Sequence, residues 1–197
     1  MCNPDDPLPL RSECSGQALP GIDIEVRDPE TGETLAHGEP GEIVARGRGV
    51  FRGYYNDPEK TEAAFWDDGW FRTGDLGVLD AEGRVTFRGR LKDMLKVGGE
   101  NVAAVEIEGY LALHPAVRLA QVVGLPDEKY GEVPVAFIEL VPDAAATEAE
   151  MIAFCRGEIA SFKIPRHIRF VGNWPMGATK ILKSALRERI LAEMASA

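Results

Sequence analysis

The chain is poor in cysteine, has no excess of positive charge and lacks any long apolar run. Each shortage removes a class of protein. Only three cysteines occur in 197 residues, Cys2, Cys14 and Cys155. They are too few and too scattered for a disulfide framework, and they show no metal-ligand spacing, so no metal site is expected. A reducing cytoplasm is the compartment that suits this usage. No apolar stretch approaches the roughly 20 residues that span a bilayer as a helix. The start, Met1 to Pro9, is polar and proline-rich, without a basic segment leading into an apolar core, and does not read as a signal peptide. The net charge of −10 argues against DNA or RNA as the main partner, because phosphate backbones attract basic faces. What is present, 45% hydrophobic and 27% charged residues, describes a soluble globular chain with room for one ordinary domain or two small ones. An oligomer is compatible with this composition.

One stretch departs from the acidic average. Between Arg84 and Lys96, the basic residues Arg84, Arg88, Arg90, Lys92 and Lys96 stand against Asp93 alone. A solvated hairpin edge accounts for such a run. The alternative is a site for a polyanion such as a nucleotide.

The first half reads as β. Ile22, Ile24 and Val26 alternate with polar residues, and the segment from Asp28 to Glu33 supplies a turn. A strand follows over Glu42–Arg46. Asp57 as N-cap with Pro58 behind it opens a short helix to Phe65. Leu76–Leu79 and Val85–Phe87 form a hairpin around Asp80-Ala81-Glu82-Gly83. Beyond Lys96 the pattern mixes helix and strand. Ile107, Tyr110, Leu111 and His114 share a helical face. Val117–Gly124, ending before Pro126, and Pro134–Val141 read as strands. Thr147 and Glu150 make a capping box ahead of a stripe of Met151, Cys155 and Ile159. His167–Val171 is a short strand. Ser184 caps a last helix that turns Leu186, Ile190 and Met194 inward. The expected fold is therefore α+β. A boundary near Arg90 to Lys92 separates a β-rich part, residues 1–90, from an α+β part, residues 91–197, that is large enough for its own core.

Four local sequences carry chemistry. Gly53-Tyr54-Tyr55-Asn56-Asp57-Pro58-Glu59-Lys60-Thr61 is, taken alone, a turn into a helix. Trp70-Phe71-Arg72-Thr73-Gly74-Asp75-Leu76 sets a carboxylate beside a glycine turn, where it can accept hydrogen bonds from both hydroxyls of a ribose. Arg88-Gly89-Arg90-Leu91-Lys92-Asp93-Met94-Leu95-Lys96-Val97-Gly98-Gly99-Glu100-Asn101-Val102 concentrates cations next to two glycines that let a backbone approach a ligand, in a loop between hairpin and helix. Trp174-Pro175-Met176-Gly177-Ala178-Thr179-Lys180-Ile181-Leu182-Lys183 places a lysine at the end of a Pro/Gly loop just ahead of a helix. Singly, each is an ordinary turn or surface motif.

In this order and spacing they resemble the adenylate-forming superfamily, the acyl-CoA synthetases and their relatives, from about Gly16 to Met194. The resemblance implies a β-barrel-like subdomain at the end of a large AMP-binding domain, followed by a mobile C-terminal domain. It implies that Asp75 and Arg90 contact the AMP ribose, that Lys96 joins the nucleotide-binding set, and that Lys92 is a hinge. The resemblance further implies that Gly98, Gly99, Glu100 and Asn101 line the channel for the pantetheine of CoA. It implies, too, that Lys180 is the catalytic lysine of adenylation. Thr179 stands where a glycine is usual and the loop is one residue shorter, which leaves Lys183 as the alternative, although Pro175-Met176 and Ile181 align around Lys180.

The implied activity is an AMP-forming acid–CoA ligase using ATP, CoA, Mg2+ and a carboxylic acid. The Gly/Ser/Thr-rich phosphate loop, the Thr-Glu motif near adenine and Mg2+, and the acyl pocket are not found in the sequence. The chain is therefore expected to be a fragment, inactive alone, with Mg2+ held mainly by a preceding region. The competing expectations are an adenylation enzyme that loads a carrier protein and a truncated, non-catalytic binding module.

Overall fold

A computed structural model describes Cys2 and residues 4–195. The chain divides into two compact units, the first ending at Lys92 and the second beginning at Asp93.

The first unit holds an antiparallel five-stranded sheet of β1 (Gly16–Gln17), β2 (Ile22–Arg27), β3 (Gly41–Gly47), β4 (Phe71–Leu79) and β5 (Arg84–Arg90), in the order β1-β5-β4-β3-β2. β1 and β2 lie at opposite edges, so the β-rich subdomain is an open sheet and not a closed barrel. A short helix, α1 (Leu8–Glu13), precedes it. The second helix, α2 (Pro58–Ala63), begins as the sequence predicts: Asp57 Oδ1 accepts the Lys60 N–H at 3.0 Å, and Pro58 occupies a position whose N–H has no helical partner. Val26, Val44, Trp70 and Val85 form the apolar interior. Arg27 and Arg46 stack on Trp70 at 4.9 and 4.6 Å.

The register between β3 and β4 shifts at Ile43. Glu42 pairs with Leu76 and Val44 with Arg72. Ile43 alone therefore faces Thr73, Gly74 and Asp75, which bulge out of β4.

The second unit is built around β9 (Gly131–Leu140). It pairs antiparallel with β8 (Val117–Asp127), parallel with β10 (His167–Phe170), and through Val97 and Gly131 with β6 (Met94–Val97), which in turn pairs with β7 (Glu100–Ala103). Alternate β9 residues feed two cores, as the period of two in a strand requires. Ala136 and Ile138 pack with Ile107 and Leu111 of α3 (Ala104–Leu111) and with Met151 and Cys155 of α4 (Glu148–Cys155). Val133, Val135 and Phe137 pack with Leu186 and Ile190 of α5 (Lys183–Ala195). Thr147 and Glu150 form the capping box in both directions. Burial pushes the Cys155 thiol up to about 11, which leaves it an inert core residue.

Several local expectations are corrected. β8 continues through Pro126, because among the described residues β8 pairs only with β9 and the missing N–H can lie on its other edge. α4 ends at Cys155, so Ile159 is not part of its stripe. α3 ends before His114. Ser184 lies inside α5, which already starts at Lys183, and Met194 is 41% exposed where an inward position was expected.

Candidate functional site

Asp75 sits at the end of the β4 bulge, directly opposite Arg90 in the β4–β5 register. Arg90 Nε lies 3.1 Å from Asp75 Oδ1. That contact is an ion pair by distance without hydrogen-bond alignment, and among the described residues Oδ1 has no hydrogen-bond partner although the atom is buried. A buried carboxylate oxygen left without a donor is an exception that calls for a partner such as water or a ligand. Gly74 makes the bulge possible. Its φ of +70° is a conformation that side-chain-bearing residues rarely adopt. Thr73 Oγ1 donates to the Ile43 carbonyl at 2.6 Å and accepts the Asp75 N–H at 3.1 Å. Beneath lies Glu42, whose Oε1 accepts the Gly74 N–H and whose Oε2 accepts from Arg72 Nε, both at 3.1 Å.

Lys92 is exposed in a single 3₁₀ turn, Leu91–Asp93, and the division between the two units follows it.

In the second unit the segment expected as a loop is a hairpin. Gly98 and Gly99 form its two-residue turn, with φ of +62° and +91°. Two positive φ values match the right-handed twist of the flanking strands. Lys96 stands opposite Asn101, and Val97 opposite Glu100. Lys96, Gly98, Gly99, Glu100 and Asn101 are all exposed.

The hairpin is backed by the β8–β9 turn. Gly98 N–H donates to the Tyr130 carbonyl at 2.7 Å, and Lys96 N–H to Glu132 Oε2 at 3.1 Å. The other Glu132 oxygen lies 3.0 Å from Arg187 Nη2 of α5. Gly124 leaves room for this carboxylate, since a Cβ there would fall 2.8 Å from it. Asp127 closes the turn by accepting the N–H groups of Tyr130 and Lys129, which hold its carboxyl below the usual range.

Lys180 ends a tight loop. Gly177 N–H donates to the Lys180 carbonyl and Leu182 N–H to the Pro175 carbonyl, both at 2.8 Å. The loop's entry is fixed by Trp174 Nε1, which donates to Glu139 Oε2 at 2.7 Å. That bond, aided by Arg118 and opposed by burial, holds the Glu139 carboxyl below its ordinary value. Lys180 is exposed, and among the described residues its Nζ has no partner. Lys183 differs: its Nζ donates to Glu108 Oε1 at 2.6 Å.

Of the residues singled out from sequence, Asp75 and Arg90 meet in the first unit, and Lys96, Gly98, Gly99, Glu100 and Asn101 share one hairpin of the second. No hydrogen bond or ion pair joins Lys180 to that hairpin among the described residues. Among them, too, no three His, Cys, Asp or Glu side chains cluster to hold a metal ion. Glu42, Glu108 and Glu132 were missed. Glu42 had a signal, because it lies two residues from Val44 and so shares that residue's buried face. The other two connect elements distant in sequence and gave none.

Residues 1–55 match the family described as AMP-binding enzyme, and residues 106–180 match the AMP-binding enzyme C-terminal domain. The chain is 44% identical over 188 residues to a putative acyl-CoA synthetase, YngI, of Bacillus subtilis, covering 95% of the chain and 34% of the relative. It is 40% identical over 187 residues to the mitochondrial medium-chain acyl-CoA ligase ACSF2 of Bos taurus, covering 94% and 30%. The chain thus spans about a third of the length of the curated relatives it matches. Among solved structures, ATP-bound MatB from Rhodopseudomonas palustris superposes with a TM-score of 0.83 at 40% identity, over 90% of this chain and 35% of that one. The o-succinylbenzoate CoA synthetase MenE of Bacillus subtilis, in complex with its acyl-adenylate intermediate, gives 0.82 at 33% identity, over 90% and 36%. The chain belongs to the adenylate-forming superfamily of AMP-binding enzymes, and it corresponds to the C-terminal part of that family's acyl-CoA-synthetase-like members.

Proposed function

We propose that this chain supplies the C-terminal machinery of an AMP-forming acid–CoA ligase. In the first half-reaction a carboxylate attacks the α-phosphate of ATP, giving an acyl-adenylate and pyrophosphate. In the second, the CoA thiol attacks the acyl carbon, giving acyl-CoA and AMP. Asp75 is the residue on which this rests: its carboxylate is presented on a bulge and ion-paired with Arg90, and among the described residues its Oδ1 accepts no hydrogen bond. That is an acceptor suited to ribose hydroxyls.

Lys180 meets the electrostatic need of the first step. Two anions approach each other there, and a cation with no other partner among the described residues can bridge the reacting oxygens. The second step needs a path for pantetheine, and the exposed Gly98-Gly99 turn offers backbone without side chains. Lys92, at the division between units, is the proposed hinge that exchanges Lys180 for this hairpin. Mg2+, the adenine pocket and the acyl pocket lie outside this chain in the proposal, so the isolated chain should bind AMP weakly and not turn over.

The test assays the enzyme that contains this chain. Acid-dependent exchange of pyrophosphate into ATP, followed by acyl-CoA formation when CoA is added, is the expected result. Acyl transfer to a carrier protein with none to CoA would contradict the ligase assignment. Micromolar AMP binding by the isolated chain, measured by calorimetry, would contradict the division of labour.

A further inference from the structure

Glu42 is 1% exposed, a carboxylate inside the first sheet. So deep a charge is costly unless its oxygens are bonded. Both bonds go to the strand that carries Asp75: Oε1 takes the Gly74 N–H and Oε2 takes Arg72 Nε. The register explains why. Three residues of β4 face Ile43 alone, so the ladder offers the Gly74 N–H no carbonyl, and the bulge needs an acceptor from below. Glu42 is that acceptor. Arg72, which turns the other Glu42 oxygen, is itself held: its Nη2 donates to the Pro29 carbonyl at 3.1 Å, and its guanidinium lies 4.2 Å from the centre of the Trp66 ring.

We infer that Glu42, fixed by Arg72, is a positioning residue for nucleotide binding: it sets the Thr73-Gly74-Asp75 bulge so that the Asp75 carboxylate points at the ribose. It touches no ligand and acts through the Gly74 N–H. The inference rests on the ribose role proposed for Asp75. It predicts a defect confined to the nucleotide, whereas a merely structural carboxylate would lower stability and leave substrate constants alone.

The experiment compares Asp75→Ala, Glu42→Ala, Glu42→Gln and Arg72→Lys in the enzyme that contains this chain, by pyrophosphate exchange at varied ATP and acid, with thermal melting alongside. Asp75→Ala should raise KM for ATP about tenfold or more, as loss of a hydrogen bond to a charged group does. Glu42→Ala should come within about threefold of that, with KM for the acid unchanged. Glu42→Gln keeps an acceptor for Gly74 but loses the ion pair, and should fall between wild type and Glu42→Ala. Arg72→Lys removes the Nε and Nη2 bonds but keeps a charge, and should do the same. If Glu42→Ala does not fold, these two milder variants decide. Folded Glu42 and Arg72 variants with wild-type KM for ATP, beside a defective Asp75→Ala, would overturn the positioning role. An Asp75→Ala enzyme with wild-type KM for ATP would instead overturn the ribose assignment.

Discussion

Lys183 Nζ lies 2.6 Å from Glu108 Oε1, and the same oxygen accepts the Val122 N–H at 2.8 Å. One carboxylate thereby ties the first residue of α5 to α3 and β8. The side chains of Lys183 and Glu108 are 21% and 13% exposed. Lys183 is thus committed to structure, whereas Lys180, three residues earlier, has no side-chain partner among the described residues. Lys183→Ala should cost about 1–2 kcal/mol of stability, because it leaves a half-buried carboxylate short of its counter-ion. Lys180→Ala should cost less than about 0.5 kcal/mol, as exposed substitutions do. Urea unfolding of the two variants distinguishes them. Equal losses would mean that Lys180 has a structural partner after all.

Glu132 is predicted to act on the second half-reaction. Its carboxylate bonds the Lys96 N–H and pairs with Arg187, so it braces the hairpin from behind. Glu132→Ala should raise KM for CoA by roughly five- to twentyfold while pyrophosphate exchange stays near wild type. Gly124→Ala should imitate it, since the added Cβ would meet that carboxylate at 2.8 Å. A loss in exchange as large as the loss in thioester formation would refute the assignment.

The hinge assignment gives a contrasting phenotype. Lys92→Pro limits backbone rotation where the units divide. Thioester formation from preformed acyl-adenylate should slow by about tenfold or more, with adenylation less affected. Pre-steady-state measurement of each half-reaction provides the check.

Acid should loosen the entry to the Lys180 loop. The Trp174 hydrogen bond holds the Glu139 carboxyl below its unfolded value of about 4.3. A depressed carboxyl contributes stability that is fully present above the unfolded value and is lost as pH falls through the folded one. Melting temperature should therefore drop as pH falls below about 4, and Glu139→Gln should lower it at neutral pH and flatten that decline. An unchanged acid limb in Glu139→Gln would show that the pair contributes nothing to folding.

Much of the architecture was legible because it is locally encoded. The Asp57-Pro58 start of α2, the Thr147–Glu150 box and the alternation of Ile22 to Val26 each depend on neighbours in sequence, and the structure contains all three. The Gly98-Gly99 turn was present in the letters but read as loop, because its strands are only four residues long. β8 ran past Pro126 because strand position, not propensity, decides whether a proline is tolerated. The bulge at Thr73–Asp75 was not legible. It follows from a register between β3 and β4 that only pairing reveals. The same holds for Glu108 and Glu132, whose partners lie 75 and 36 residues away in sequence. Residues proposed to meet the ligands were thus marked by their type, and the residues that hold them in place were not.

The most direct test separates the two half-reactions in Lys180→Ala. The adenylation role proposed for Lys180, which has no partner among the described residues, predicts that acid-dependent pyrophosphate exchange falls by about 100- to 1,000-fold, as on removal of a preorganised charge-stabilising donor. Thioester formation from preformed acyl-adenylate and CoA should stay within about threefold of wild type. Equal loss in both half-reactions would contradict the account.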